Sequence, residues 1–377
     1  MPDFIIEDRG LNGPQTHVLI IGVGHYRHFG DGDEPTGADD FGMRQLTSPV
    51  HSAKEIASWF VEHYDHPAAR LGSVRLLCSE LHNNTYEHPG GSRIPVGRAS
   101  FDNVRTAIRA WKDAGDGHVD NILIFYFSGH GVSDGARTVL ILDDYGEDDQ
   151  APLDGAFDFS QVHRAMDHCQ ARTQCYFIDA CRVAGEDLID GANIGKGTIV
   201  RNEPDKSIGL PKVRSPIFYS TLAGAEAYGR QGRSSFFSEA IVTGLNGAAA
   251  DNTSGAWRVD TGQLLRLIRF YLERAEDRGE SLEQINESDN MVDFELNLPP
   301  ASFPVPVVIG CQDKSENTGT VFSWRSGNKG DTRAPPENEH WDVLLDPERY
   351  DFEAQIQGAG IKTEKRTIRP PFHKVLF

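Results

Sequence analysis

The sequence predicts an α/β protein: a mostly parallel sheet covered by helices on both faces, followed by a small β-rich module. Three observations carry this expectation. Over the first 300 residues, continuous apolar runs alternate with segments whose apolar residues recur at helical spacing. The proline-rich stretch LNLPPASFPVPVV (296–308) then breaks the alternation. Beyond it only β-like pieces remain, separated by Gly- and Asn-rich turns. Strands buried on both faces read as unbroken apolar runs, so the alternation argues for parallel strands under two helical layers.

Taken in order, HVLIIGVG (17–24) reads as a buried strand. VHSAKEIASWFVEHY (50–64) puts Val50, Ala53, Ile56, Ala57, Phe60 and Val61 on one helical face. SVRLLCSE (73–80) is a second strand, and SFDNVRTAIRAWKDA (100–114) an amphipathic helix with Ser100 as its expected N-cap. Strands follow at NILIFYFSGHG (121–131) and RTVLILDD (137–144), a helix near 158–170, then the strand QCYFIDACR (174–182). The polar, Gly-rich stretch 183–215 lacks periodicity and reads as a flexible linker. PIFYSTLAG (216–224) is the next strand, leading to helices at SSFFSEAIVTGL (234–245) and DTGQLLRLIRFYLERAEDRG (260–279). PVVIGC, TVFSW, WDVLL, FEAQI and HKVLF supply the last strands. The expected domains are 1–299 and 300–377.

A net charge of −19 argues against nucleic-acid or anionic-membrane partners, which need a basic surface. The longest apolar run, ILIFYF, is far short of the roughly 20 residues a membrane helix needs. The N-terminus lacks the basic start and apolar stretch of a signal peptide. Five scattered cysteines do not form a disulfide framework, so a cytoplasmic location is expected.

Sheets of this kind carry their reactive groups at the carboxyl ends of their strands. Two strands end in such groups. ILIFYF runs into SGHG, which sets His130 between glycines, where a substrate backbone can come close. CYFID runs into AC, which sets Cys181 at a second tip. A strand, a helix and a return strand fit between them and would bring the tips side by side. An imidazole beside a thiol can form the ion pair or take the proton during attack. The N–H groups of Gly131 and Cys181 would serve the resulting oxyanion.

FSGHG followed about fifty residues later by DACR resembles the His–Cys dyad of the caspase and metacaspase clan of cysteine peptidases. FYSTLAG (218–224) resembles the strand lining the caspase peptide groove, and SSFFSEAIVTGL the helix after it. The resemblance spans roughly residues 15–298 and implies a caspase-like three-layer α/β/α sandwich. It makes Cys181 the nucleophile and His130 the base or acid of an endopeptidase acting on protein substrates. It also implies substrate contacts from Asp179, Ser220 and Tyr228. Asp179 stands where caspases carry a glutamine and where metacaspases, which cleave after Arg or Lys, carry an aspartate. A basic P1 residue is therefore expected. The caspase groove arginine falls near Gly229, with Arg230 adjacent, and the second metacaspase acid falls near Ser52, so the pocket is expected to hold one acid. Relatives serve in bacterial defence or cell death as zymogens switched on by a protease or sensor protein. The alternative is a catalytically silent scaffold that recruits partners.

Other features have plainer readings. Cys78, Cys169 and Cys175 lie in apolar context and read as core. HYRH (25–28) and HYDH (63–66) space histidines as zinc sites can, yet lack further ligands nearby. DDYGEDDQAPLD (143–154) carries enough acid for calcium, which some metacaspases need, but not in EF-hand order, so a solvated loop and no cofactor are expected. In the linker, Lys196, Arg201, Lys206, Lys212 and Arg214 would give an Arg/Lys-specific enzyme targets in its own chain.

Overall fold

The computed structural model describes residues 4–82, 84–180, 193–204, 208–220, 232–275, 292–333 and 337–377, with the backbone alone of 183–184, 276–277 and 287–289. Contacts divide the chain into two compact units. The first comprises Met1–Glu239, Tyr271–Glu276 and Glu280–Val292; the second, Ala240–Phe270, Asp277–Gly279 and Asp293–Phe377. The boundary expected after residue 299 thus falls inside the second unit, part of which precedes it in sequence.

The first unit is built on a seven-stranded sheet. Its strands in chain order are β1 (Ile5–Asp8), β2 (Gln15–Val23), β3 (Arg70–Ser79), β4 (Ile122–Gly129), β5 (Thr173–Ala180), β6 (Ile217–Tyr219) and β7 (Glu287–Asp289). Across the sheet they run β1-β3-β2-β4-β5-β6-β7. The five central strands are parallel, and β1 and β7 are antiparallel edges.

Helices cover both faces, as the unbroken apolar runs require. α2 (Phe101–Gly115) and α3 (Phe159–Met166) pack where Leu19, Ile21, Val23, Leu123, Phe125, Phe127, Tyr176 and Ile178 point. Trp111 of α2 donates its indole N–H to the His17 carbonyl at 3.0 Å, tying the helix to β2. α1 (Ser48–His63) lies on the other face, where a Cβ at Gly22 would stand 2.7 Å from the Ala53 Cβ and from the Pro49 carbonyl oxygen. That approach leaves no room for a side chain at Gly22.

Ser100 occupies the N-cap of α2, but its side chain makes no cap hydrogen bond. The Asp144 carboxylate does so instead, accepting from the Phe101 N–H at 3.0 and 3.1 Å. The acidic stretch is therefore not wholly solvated. Asp143 and Asp144 are buried, and Asp143 accepts from Ser79 at 2.7 Å and from Arg98 at 2.7 Å. Burial and the neighbouring Asp143 push Asp144 up to about 6.

The strand Thr138–Ile141 does not join the main sheet, contrary to the simple alternation. It folds back antiparallel on Gly131–Ser133 in a small sheet with Val183–Ala184 and Ala156–Asp158. The described part of the linker is anchored rather than loose. Ile199 and Val200 are buried in the core, Arg109 donates to the Thr198 and Ile199 carbonyls at 2.7 Å, and Lys196 pairs with Glu147 at 3.0 Å. Arg214 exchanges backbone hydrogen bonds with Arg172 and Gln174 at 2.9 and 2.8 Å.

The second unit contains α4's last residues and the start of α5, the helices Phe236–Thr243 and Thr261–Asp277. Its C-terminal stretch is β-rich. Val305–Gly310 pairs with Trp341–Leu345 and His373–Leu376, and Thr320–Ser326 with Lys329–Arg333 and Arg349–Ile356, which pairs in turn with Gly360–Thr367. Lys329–Arg333 and Gly360–Thr367 were not legible as strands. Both lie on sheet edges and are almost wholly exposed, so neither shows apolar alternation. No helix among the described residues is long and apolar enough to cross a membrane.

Candidate active site

β4 and β5 run in register from Ile122 opposite Thr173 to Gly129 opposite Ala180. Just beyond, Val132 pairs in parallel with Val183, keeping the same offset in sequence. His130 and Gly131 therefore lie between two paired rungs. Residues 181–182, Cys181 among them, lie outside the described residues.

His130 is buried and held at both ends. Its N–H donates to the Tyr26 hydroxyl oxygen at 2.7 Å. Its Nε2 lies 2.7 Å from the Arg44 carbonyl oxygen. A carbonyl only accepts, so Nε2 carries the proton and Nδ1 the lone pair of the neutral ring. Burial lowers the pKa below the ordinary imidazole value, against the pull of the Arg44 carbonyl. Both effects leave a neutral ring with its lone pair on Nδ1. Gly131 opens the hairpin to Thr138–Ile141, opposite Leu140.

Asp179 stands opposite Ser128, and Ser128 opposite Gly22, so all three share the α1 face of the sheet. The Ser220 N–H bonds to the Ile178 carbonyl at 3.0 Å, which extends this row onto the end of β6. Asp179 Oδ2 accepts from the hydroxyls of Ser235 at 2.5 Å, Ser128 at 3.2 Å, Tyr126 at 3.3 Å and Ser238 at 3.4 Å. Ser52 of α1 closes the same corner, accepting from the Ser235 N–H at 3.0 Å. Among the described residues no cation pairs with Asp179. Burial raises its pKa, and the hydroxyls pull the other way. Ser220 is fully buried, and its hydroxyl is among those that pull the Asp179 pKa down.

The structure thus brings Asp179, Ser220 and Ser52 to one polar corner at the strand ends. Tyr228, Gly229 and Arg230 lie outside the described residues. The serines around Asp179 and the Tyr26–Arg44 support of His130 were not anticipated. Ser128 stands two residues before His130 as Asp179 does before Cys181, so strand parity alone could have found it. Ser235 and Ser238 had no such signal, because their segment is joined to the pocket only by the fold.

Three further cysteines and two of the histidines in HYRH and HYDH are engaged in the fold. Cys78, Cys169 and Cys175 are buried; burial pushes Cys78 and Cys169 up to about 12 and raises Cys175 as well. His66 Nδ1 accepts from the Ala68 and Ala69 N–H groups at 3.2 and 3.0 Å. His25 Nδ1 accepts from Arg98 at 3.1 Å. Among the described residues no group of three or more His, Cys, Asp or Glu is arranged to hold a metal ion.

The sequence matches the caspase domain of peptidase C14 over residues 15–295. It is 30% identical over 244 residues to the uncharacterized protein y4kE of Sinorhizobium fredii (strain NBRC 101917 / NGR234), a match covering 64% of this chain and 68% of that protein. Among solved structures it is similar to a crystal structure of caspase-1 from Spodoptera frugiperda: 14% identity, TM-score 0.44, 78% of this chain and 97% of that one. It is also similar to a structure of pro-sf-caspase-1: 12% identity, TM-score 0.38, 78% of this chain and 88% of that one. With most of its length matched, the chain belongs to the peptidase C14 caspase-domain family.

Proposed function

We propose that this protein is a cysteine endopeptidase that cleaves protein substrates after Arg or Lys, with Cys181 as nucleophile and His130 as proton carrier. The observation that carries the reading is the pair of rungs, Gly129 with Ala180 and Val132 with Val183, that brackets His130 and the interval containing Cys181.

In this reading the Cys181 sulfur attacks the scissile carbonyl carbon while His130 Nδ1 takes the thiol proton. The Arg44 carbonyl stabilises the Nε2–H as the ring becomes charged. The Gly131 and Cys181 N–H groups receive the oxyanion. Collapse breaks the C–N bond, the His130 proton passes to the leaving amine, and a thioester remains. Water then adds to the thioester, giving its proton to His130, and the thiol leaves with the carboxylate product.

Asp179 supplies the P1 charge. A buried carboxylate held only by hydroxyls is costly, and a guanidinium or ammonium entering the pocket would offset that cost with a charge-assisted bond. Ser220 offers a further acceptor beside it, with Tyr228 the other proposed contact. No cofactor enters this chemistry. The family implies protein substrates; an activating protease or sensor, and a part in bacterial defence, belong to the proposal.

A P1-scanning library of fluorogenic peptides with purified protein tests the reading. Turnover confined to Arg and Lys, abolished in Cys181→Ala, is the expected result. A preference for Asp would overturn the role of Asp179. No turnover, with no labelling of Cys181 by an Arg-peptide electrophile, would leave the catalytically silent scaffold.

A further inference from the structure

We propose that Gln45 and Tyr26 are positioning residues for His130, together holding its ring in the single tautomer whose Nδ1 carries the lone pair; this rests on the reading of His130 as the proton carrier. The imidazole has one hydrogen-bond partner among the described residues, the Arg44 carbonyl. That carbonyl belongs to an irregular segment, residues 24–47 being free of helix and strand and Arg44 itself being exposed. Such a segment does not by itself hold an oxygen in place.

The next residue does. Gln45 Oε1 accepts from the Tyr26 N–H at 2.7 Å, and Gln45 Nε2 donates to the Tyr26 carbonyl at 2.8 Å. One side-chain amide thus makes both bonds of a short β-bridge across the base of the loop. A backbone bond from the Leu46 N–H to the Gly24 carbonyl, at 2.8 Å, extends the same ladder. Tyr26 then returns to His130 from the other side. Its hydroxyl oxygen accepts the His130 N–H at 2.7 Å, and its ring lies 5.0 Å from the imidazole. Tyr26 is fully buried and stacks on Phe29 at 4.5 Å, with the planes 8° apart, so the phenol is a fixed reference point. The backbone N–H and the ring Nε2–H of His130 are therefore both anchored to residues that Gln45 locks together.

The two neutral tautomers of imidazole lie close in energy, so one retained hydrogen bond is enough to favour one of them by about tenfold. Without the Gln45 bridge the Arg44 carbonyl is free to drift, and Nε2–H loses the one acceptor it has among the described residues. The ring then populates the other tautomer, whose Nδ1 is protonated and cannot take the thiol proton.

Histidine-labelled protein examined by long-range proton–nitrogen NMR reads the tautomer directly, with His130 assigned by its loss in His130→Ala. The wild type is expected as the Nε2–H form. Gln45→Ala is expected to show both tautomers, with kcat reduced about tenfold and KM within twofold of wild type. Gln45→Glu keeps the acceptor for the Tyr26 N–H but sets a carboxylate oxygen against the Tyr26 carbonyl, breaking that half of the bridge, so it decides the matter should Gln45→Ala not fold. Tyr26→Phe keeps the ring stack and removes the hydroxyl, and should move the tautomer the same way. His130 unmoved in Gln45→Glu and Tyr26→Phe, with only the melting temperature lowered, overturns the proposal. The NMR measurement needs no turnover. A tautomer shift in a protein that cleaves nothing would sink the peptidase reading and leave the positioning role standing, whereas an active enzyme with an unmoved tautomer would do the reverse.

Discussion

Gly129 and Ala180 form the last rung of the parallel pair β4–β5, and the chain pairs again at Val132 and Val183 before the two segments diverge. If Cys181 and His130 act together as proposed, the losses from replacing each should not add. Cys181→Ala and His130→Ala should each lower kcat/KM for an Arg peptide by roughly 10³-fold or more, and the double variant should be hardly worse than either alone. Additive losses in the double variant would show that the two side chains do not act as a unit.

The proposed P1 role of Asp179 can be tested apart from its effect on stability. Asp179→Asn keeps an acceptor for Ser235, Ser128, Tyr126 and Ser238 and removes a buried charge. Its melting temperature should stay level or rise, as expected when an unpaired buried anion is neutralised. Its kcat/KM toward Arg peptides should fall by about 10²-fold or more. A large loss of melting temperature with Arg cleavage retained would assign the carboxylate a structural role instead.

The two buried groups also set the pH response. His130 has a folded pKa below the unfolded one, so below the ordinary imidazole range the unfolded chain binds a proton that the native state refuses. Its contribution to stability is intact above that range and is lost as pH falls through it. The same shift keeps the neutral base available to lower pH, placing the acid limb of kcat below 6.5. Asp179 is shifted the other way, so it protonates at a higher pH than an ordinary carboxyl group. KM for Arg peptides should therefore rise on acidification at a pH above the ordinary carboxyl range; a KM that stays flat until that range would remove Asp179 from the pocket.

Self-cleavage, if the enzyme has it, is restricted by the way the linker is pinned. Lys196 is held by Glu147, and Arg214 by backbone pairing with Arg172 and Gln174. Arg201 and Lys212 are exposed and irregular; Lys206 lies outside the described residues. Mass spectrometry of incubated wild type should find new termini after Arg201, Lys206 or Lys212 and none after Lys196 or Arg214, with Cys181→Ala intact. The fragments should stay together on gel filtration, because Ile199 and Val200 are buried on one side of the cuts and β6 is paired on the other. Cleavage after Lys196 would contradict the anchoring.

Asp144 acts on the scaffold alone. Asp144→Ala removes the acceptor for the Phe101 N–H at the start of α2 and should cost about 1 kcal/mol of stability. Denaturant titration measures that loss, and kcat should remain near wild type.

The local chemistry of the chain was enough to predict much of this. Unbroken apolar runs in β2, β4 and β5 declare strands buried on both faces, and helical spacing in 50–64 and 100–114 declares their covers, because these patterns reflect nearest-neighbour geometry. The place of His130, just past an apolar strand, was legible for the same reason; Cys181 lies outside the described residues. What the tertiary structure alone decided is which distant groups meet. The Arg44 carbonyl, the Gln45–Tyr26 bridge, the Asp144 cap on α2 and the hydroxyls of Ser235 and Ser238 on Asp179 join residues 19 to 86 positions apart. Backbone carbonyls and serines leave no periodic mark in a sequence, and their partners are chosen by packing. The C-terminal edge strands escaped for a related reason, since an element exposed on both faces has no apolar pattern to betray it.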